Sequence, residues 1–422
     1  MFDQSFNETS LSREIRKSDF RKYRALHNDS ERQKQITDAC TRGKDGFPDL
    51  SAFTISTIRG KCVVKVPKFS DELTLRKINA NVLKLANIRM MDRDSIVANI
   101  EALLSEGIQY RIYRLDIKSF YESISLADIS SRIESIKLLS SPTKRHILDI
   151  LRYFQRSGQN GIPRGLSVSA TLSELILSDF DKKVSSHAEV FYFSRYVDDI
   201  ILITSGDENR RKFTKLIKSW LPTGLTLNSK KQVIKERSRV YNEKGAAIQA
   251  INTKEPAIDF EFLGYKFKVK EQTSNDGKKP RIVDLDIADT KVNKIKTRII
   301  KSLLSYASDK DFELLEDRIS FLCSNFSVID SDRDRKRLAG IYHNYHRISH
   351  EKSEALSELD LFLKKVITSG HGRACHLFFC NTNDTQRRNL LQWSFRRGHE
   401  KKIYLHFSEK RLSEIQRCWK YV

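Results

Sequence analysis

Two apolar stretches, Val190-Phe-Tyr-Phe-Ser-Arg-Tyr196 and Ile200-Ile-Leu-Ile-Thr204, are separated only by Val197-Asp-Asp199. Both are rich in β-branched and aromatic residues, so each reads as a strand, and so short a connection permits only a tight hairpin. Its tip then carries two adjacent carboxylates, Asp198 and Asp199. An Asp-Asp pair at a turn is ordinarily solvated and means little alone. A third acid changes its weight: Asp116 ends another strand-like stretch, Arg111-Ile-Tyr-Arg-Leu-Asp116. Were the two strands to pair in one sheet, three carboxylates would converge at one edge.

The rest of the chain places that edge in an organisation. A charged helix-and-loop region fills the first fifty residues, followed by a strand-like Cys62-Val-Val-Lys-Val-Pro67 and one helical run from Asn79 to Leu104. A helix begins near Ser125, with Ser125 as its cap. The loop Ser157-Gly-Gln-Asn-Gly-Ile-Pro-Arg-Gly165 opens another, on which Val168, Leu172, Leu175, Ile176 and Phe180 form an apolar face. After the hairpin come a helix (Asn209 to Trp220), strands around Leu225 to Leu227 and Phe260 to Val269, and mainly helix from Asp289 to about Leu363. Strands linked by hairpins, interrupted by helices and followed by a helical module, predict an α+β fold.

Charge narrows the partner. The 422 residues hold 76 Lys and Arg against 54 Asp and Glu, a formal charge of +22. An excess of that size favours a polyanion, because neutralising phosphates releases counterions. No apolar run is long enough to span a bilayer and Met1 to Arg16 has no secretory pattern, so a soluble cytoplasmic protein is expected. The six cysteines are scattered, as in a reducing compartment. His371, Cys375, His376 and Cys380 cluster, but their spacing is not that of a zinc site and His376-Leu-Phe-Phe-Cys380 reads as core.

The carboxylates have a chemical use. Hard divalent cations take oxygen ligands, and nucleotide polymerisation uses two such ions about 4 Å apart, one activating a 3′-hydroxyl and the other clamping the triphosphate. Tyr196-Val-Asp-Asp199 between apolar strands resembles the YxDD motif of reverse transcriptases. Leu115-Asp-Ile-Lys-Ser-Phe-Tyr121 resembles that family's preceding palm motif, and Gly161-Ile-Pro-Arg-Gly165 through Ser169 its loop and helix. Gly224-Leu-Thr-Leu-Asn-Ser-Lys-Lys231 resembles the GLxLNxxK element, and Phe260-Glu-Phe-Leu-Gly-Tyr265 the primer-grip hairpin. These motifs stand in the family's order between about residues 60 and 270.

The resemblance implies a right-hand polymerase fold. An N-terminal segment with fingers would occupy 1–109, a palm with part of the fingers 110–285, and an α-helical thumb with a C-terminal extension 286–422. It implies Asp116 and Asp198 as ligands of two Mg²⁺ ions, or Mn²⁺, with Asp199 in support and a backbone carbonyl from Ile117. Tyr121 matches the gate that meets a ribose 2′-hydroxyl, and Lys231 the lysine that protonates the departing pyrophosphate. Gly165 would let backbone approach the nucleotide or template, and Arg164 stands where the family commonly has Gln. Val66-Pro-Lys68 and Arg76-Lys-Ile78 resemble the IPK and RxI pattern of the fingers, making Lys68 and Arg76 the candidates for gripping the triphosphate, with Lys65 in reserve. Primer and template would meet Phe262, Gly264 and Tyr265, and a cationic helix stripe of Lys291, Lys294, Arg298 and Lys301. Tail aromatics among basic residues, Trp393 and Tyr404 with their neighbours, read either as single-strand stacking platforms or as the core of a helical cap.

Within the family, Gly340-Ile-Tyr-His-Asn-Tyr-His-Arg-Ile348, Leu356-Ser-Glu-Leu-Asp-Leu-Phe-Leu363, Ser169-Ala-Thr-Leu-Ser-Glu174 and Arg195-Tyr-Val-Asp-Asp-Ile200 resemble bacterial antiphage-defence reverse transcriptases, particularly the type 3 systems with two polymerases. That resemblance implies a noncoding RNA template or scaffold, dNTPs, a DNA product or RNA–DNA hybrid, and a second reverse transcriptase subunit; a homo-oligomer is a further expectation, and the absence of long apolar runs implies no membrane. Alternatives left open are a template-independent or protein-primed DNA polymerase of the same fold, a group II intron or retron enzyme, and a non-catalytic RNA-binding scaffold.

Overall fold

The computed structural model describes residues 2–47, 50–58, 60–88, 91–238, 258–271, 281–330 and 335–420. They belong to two compact units, one of Met1–Ala98 with Gln109–Arg239 and the other of Asn99–Ile108 with Val240–Val422.

The first unit opens with helices α1 (Glu8–Ser12), α2 (Lys17–Lys22) and α3 (Asp29–Asp45), a ribbon of β1 (Thr54–Ile58) and β2 (Lys61–Lys65), and helix α4 (Phe69–Leu85). The single helical run expected from Asn79 to Leu104 is broken. Helix α4 stops at Leu85, Asn87 takes a left-handed backbone (φ 49°), and α5 (Arg93–Leu104) starts afresh. Strand β3 (Tyr110–Asp116) leads through α6 (Phe120–Ser123), α7 (Leu126–Ser135), α8 (Ser141–Arg156) and α9 (Ser167–Ser185) to β4 (Val190–Tyr196) and β5 (Asp199–Thr204). Helix α10 (Arg210–Trp220) and β6 (Val233–Arg237) complete it. Ser125 caps α7 by accepting from Asp128 N.

These strands form one antiparallel sheet in the order β4-β5-β3-β6. Strand β5 is buried along nearly its whole length, which explains its unbroken Ile-Ile-Leu-Ile run. The expected apolar face of α9 joins Ile147, Ile150, Leu151 and Phe154 of α8 and Ile129 and Ile133 of α7 in one core with the sheet. The strand expected around Leu225 to Leu227 is only a single bridge from Leu227 to Ile117, and the fourth strand is β6. With two apolar residues in Val233-Ile-Lys-Glu-Arg237, this edge strand has no strong pattern to announce it.

The second unit contains an antiparallel sheet β7-β8-β9 of Ile258–Phe262, Tyr265–Glu271 and Arg281–Ile287. Helices α11 (Asp289–Asp309) and α12 (Phe312–Cys323) follow, then a hairpin of β10 (Asn325–Asp330) and β11 (Arg335–Gly340). The chain ends in α13 (Glu354–Thr368), α14 (Arg373–Cys380), α15 (Asp384–Leu391), α16 (Phe395–Glu400) and α17 (Glu409–Arg417). Buried Asp286 of β9 fixes the start of α13 by accepting from Ser353 Oγ (2.6 Å), Glu354 N (3.0 Å) and Ala355 N (3.1 Å).

The β10–β11 hairpin interrupts the stretch expected to be mainly helical to about Leu363. Asn325 locks its base, donating from Nδ2 to the carbonyls of Gly398 (3.3 Å) and Ile403 (3.1 Å) and accepting from Tyr342 N (2.8 Å). These partners lie far along the chain, so no local pattern reveals them. No helix among the described residues is long and apolar enough to cross a membrane.

Candidate active site

Strands β3 and β5 run antiparallel with Arg111 opposite Thr204 and Asp116 opposite Asp199. Directly opposed residues project from the same face of a sheet, so the ends of the two strands present two acids side by side. The β4–β5 turn consists of Val197 and Asp198 between the paired Tyr196 and Asp199. The N–H of Ile117 donates to the carbonyl of Asp198 at 3.1 Å, tying the turn to the end of β3. The sheet edge anticipated from the sequence therefore exists, and it lies wholly in the first unit.

The turn is strained. Val197 has φ 60°, a left-handed backbone that a β-branched residue adopts at a cost of roughly 1–3 kcal/mol. Hairpin twist favours positive φ at this place, normally supplied by Gly or Asn, and here a valine takes it.

Asp116 is 5% exposed and each of its carboxylate oxygens accepts a hydrogen bond. Oδ2 accepts from Lys231 Nζ at 2.8 Å and Oδ1 from Asn228 Nδ2 at 3.0 Å, while Asn228 N donates to the Asp116 carbonyl at 2.7 Å. The hydrogen bond to Asp116 raises the Lys231 pKa, with the charges of Asp199 and Asp198 adding to it. Burial raises that of Asp199, reinforced by the negative charge of Asp198 and then of Asp116, with Arg114 and Lys231 opposing. Three acids and one lysine thus share a field. Asn228 received no role from the sequence, although it stands three residues before Lys231 inside the same Gly224–Lys231 motif.

The neighbouring loop supplies a wall. Arg164 makes a fork to Glu122 (2.8 and 3.0 Å) and lies over the Tyr121 ring at 4.5 Å. Its pKa is raised, chiefly by Glu122, and it feels the charge of Asp198. Tyr121 is half-buried, with its hydroxyl pKa raised first by burial, and Ser173 of α9 lies within hydrogen-bonding reach. Arg164 therefore braces Tyr121 instead of reaching outward. Gly165 meets a need within the fold. At φ 96° it brings backbone against β2, where a Cβ would stand 2.3 Å from the Val64 carbonyl, and Arg164 O accepts from Val64 N at 2.7 Å.

The structure separates other candidates from this chemistry. Lys68 is exposed at the N-terminal end of α4 and Lys65 at the end of β2, both accessible to a phosphate. Arg76 is not: it is 4% exposed and bonds Asp19 at 2.6 and 2.8 Å and Glu72 at 2.5 Å. A guanidinium so paired and buried is an anchor for the N-terminal helices, which corrects the expectation that it grips a triphosphate.

The primer-grip candidates lie in the second unit. Phe262 (1% exposed) and Tyr265 (2%) are core residues flanking the turn of Leu263 (φ 47°) and Gly264 (φ 84°). Their side chains pack the sheet, so any contact with a primer falls to the turn itself. On α11, Lys291 is exposed and Lys294 and Lys301 are half-buried, whereas Arg298 lies over the Trp419 ring at 5.5 Å. Trp419 is buried and donates from Nε1 to Arg298 O and Ser302 Oγ, both at 3.0 Å, and Phe395 is wholly buried. These tail aromatics are core, while Tyr404 is 48% exposed.

The donor set available to a metal is Asp116, Asp198 and the Ile117 carbonyl, all hard oxygen. Among the described residues, no group of three or more His, Cys, Asp or Glu is arranged to hold a metal ion. A hard ion that takes one or two carboxylates and completes its shell with water and substrate phosphate needs no such cage, so the set fits a hard divalent cation.

Residues 71–267, a little under half of the chain, match the family model for reverse transcriptase (RNA-dependent DNA polymerase). That segment is similar to a reverse transcriptase domain, and the four-stranded sheet lies within it. No curated protein matches the chain. Among solved structures, telomerase from Candida tropicalis truncated of its C-terminal domain is similar at 15% identity and TM-score 0.32, covering 56% of this chain and 58% of that one. Telomerase from Candida albicans in complex with a fragment of telomeric RNA is similar at 12% identity and TM-score 0.33, covering 87% and 61%. Apo telomerase from Candida tropicalis is similar at 12% identity and TM-score 0.34, covering 87% and 64%. The chain spans about three fifths of the length of these structures.

Proposed function

We propose that the protein is an RNA-directed DNA polymerase working on a noncoding RNA in bacterial antiphage defence, in the cytoplasm. The observation that carries the polymerase reading is the in-register pairing of Asp116 with Asp199, with Asp198 at the adjoining turn, inside a segment similar to a reverse transcriptase domain. The defence reading rests on the motifs around Ser169–Glu174, Arg195–Ile200 and Gly340–Ile348.

Asp116 and Asp198, with the Ile117 carbonyl, would hold Mg²⁺. When bound, the ions supply the charge that activates a primer 3′-hydroxyl and neutralises the triphosphate. Lys231, charged and beside Asp116, would give a proton to the departing pyrophosphate. Tyr121, backed by Arg164, presents a ring edge against a ribose 2′-hydroxyl and so selects deoxynucleotides. Lys68 and Lys65 offer the cations that a transferring phosphoryl group needs.

Purified protein with its bound RNA, given single dNTPs before and after ribonuclease treatment and followed by product sequencing, tests this reading. DNA whose sequence is complementary to the RNA and whose synthesis stops on ribonuclease treatment is the expected result. Untemplated product that survives the nuclease overturns the RNA-directed part, and no product with any dNTP overturns the polymerase reading.

A further inference from the structure

Arg195 precedes the Tyr-Val-Asp-Asp segment and its side chain is 4% exposed. A guanidinium has five N–H donors, and each of these finds a partner. Nε donates to Asp181 Oδ1 (3.0 Å), Nη2 to Asp181 Oδ2 (2.7 Å) and Glu174 Oε2 (2.5 Å), and Nη1 to Glu174 Oε1 (2.9 Å). The fifth, again from Nη1, goes to the carbonyl of Val197 at 2.9 Å. Four bonds therefore fix the guanidinium to two carboxylates of α9, and the remaining one holds the backbone of the strained residue that presents Asp198.

We infer that Arg195 is a positioning residue of the carboxylate turn, holding Val197 in its left-handed backbone and thereby setting where Asp198 stands relative to Asp116. Its partners Glu174 and Asp181 are one unit with it: they orient the fork so that a single N–H meets the Val197 carbonyl. Lysine at this place keeps the charge, but with three donors on a flexible stem it cannot satisfy both carboxylates and the carbonyl in one fixed geometry. The neighbouring Ser173 is the residue within reach of Tyr121, so one turn of α9 supports both the turn and the ring beside it.

The inference rests on the polymerase reading only for its kinetic consequence, and its test has an arm free of activity. In Arg195→Lys, amide hydrogen exchange at residues 196–199 should accelerate at least about tenfold, with exchange in β3 unchanged and circular dichroism intact. DNA synthesis should lose kcat on the order of 10–100-fold, with the dNTP KM moving less than about threefold. Adding Val197→Asn, a residue that accepts positive φ, should restore most of the kcat. Asp181→Asn, which loosens one edge of the fork, should raise turn exchange by about threefold and serves if Arg195→Lys does not fold. Unchanged turn exchange in the folded variant overturns the inference, as does an equal kcat loss with and without Val197→Asn, which would make Arg195 a core ion pair only. If the native protein makes no DNA, the polymerase reading fails and the exchange arm still decides this one.

Discussion

Asp116 and Asp199 stand directly opposite each other across the β3–β5 ladder, yet their surroundings differ. The Asp116 carboxylate is held by Lys231 and Asn228, whereas burial and two like charges act on Asp199. One acid accepts hydrogen bonds from a lysine and an amide, and the other is pressed by burial and like charges toward its neutral form. That asymmetry gives the site its testable behaviour.

Asp199→Asn should raise stability while impairing DNA synthesis. Because its folded pKa lies above the ordinary 3.8, Asp199 favours the folded state when protonated, and that contribution disappears as pH rises through the raised value. At neutral pH the variant should melt higher by about 2 °C, a gain that vanishes below the ordinary carboxylate pKa, where both side chains are neutral. Thermal melts across pH 3 to 8 check the sign. A lower melting point at pH 7 would contradict it.

Replacing either Asp116 or Asp198 by Asn should reduce primer extension to background without unfolding the sheet, as should chelation of divalent ions with EDTA. Primer extension and far-UV circular dichroism, run together, separate loss of chemistry from loss of fold.

Lys231→Ala removes the cation that pairs with Asp116 and the candidate proton donor. Its kcat should fall roughly 10²–10⁴-fold, the range for a lost general acid, and the dNTP KM should change much less. Single-turnover kinetics distinguish this from slow product release.

Tyr121→Ala should admit ribonucleotides. Opening a steric gate of this kind is worth on the order of 10–100-fold in discrimination, read as the ratio of kcat/KM for a dNTP and its rNTP. Because Arg164 lies on the ring and is held by Glu122, Tyr121→Phe should keep the discrimination.

Arg76→Met should destabilise the first unit by about 3–5 kcal/mol, since it leaves buried Asp19 without its partner. Urea unfolding measures this, and a midpoint unchanged from the native protein would return Arg76 to the list of phosphate contacts.

Much of the site could be read from residue order because it depends on local pattern. The apolar flanks of Val197-Asp-Asp199 and the strand ending at Asp116 are statements about consecutive residues, and the sheet register that joins them follows from pairing. Arg76, Phe262 and Tyr265 were harder. Each stands in a motif-like setting, but its environment is decided by distant partners: Asp19 for Arg76, and Asn344, Tyr345 and the β7–β8 sheet for Tyr265. The β10–β11 hairpin was hidden for the same reason, its base being locked to residues near Gly398 and Ile403. Asn228 and Arg195 stand within the motifs themselves, yet the atoms their hydrogen bonds reach are set by the folded structure.

The family match begins at residue 71, two residues into α4, but that helix does not end its packing there. Phe69 and Leu73 share a cluster with Leu11, Leu26, Ile36 and Ala39, and Arg76, Lys77 and Asn81 bond to residues 3 to 19. A fragment cut where homology starts would bare an oily stripe and strand a buried cation. Evolutionary kinship and thermodynamic self-sufficiency thus have different borders in this molecule, and expression trials should honour the second.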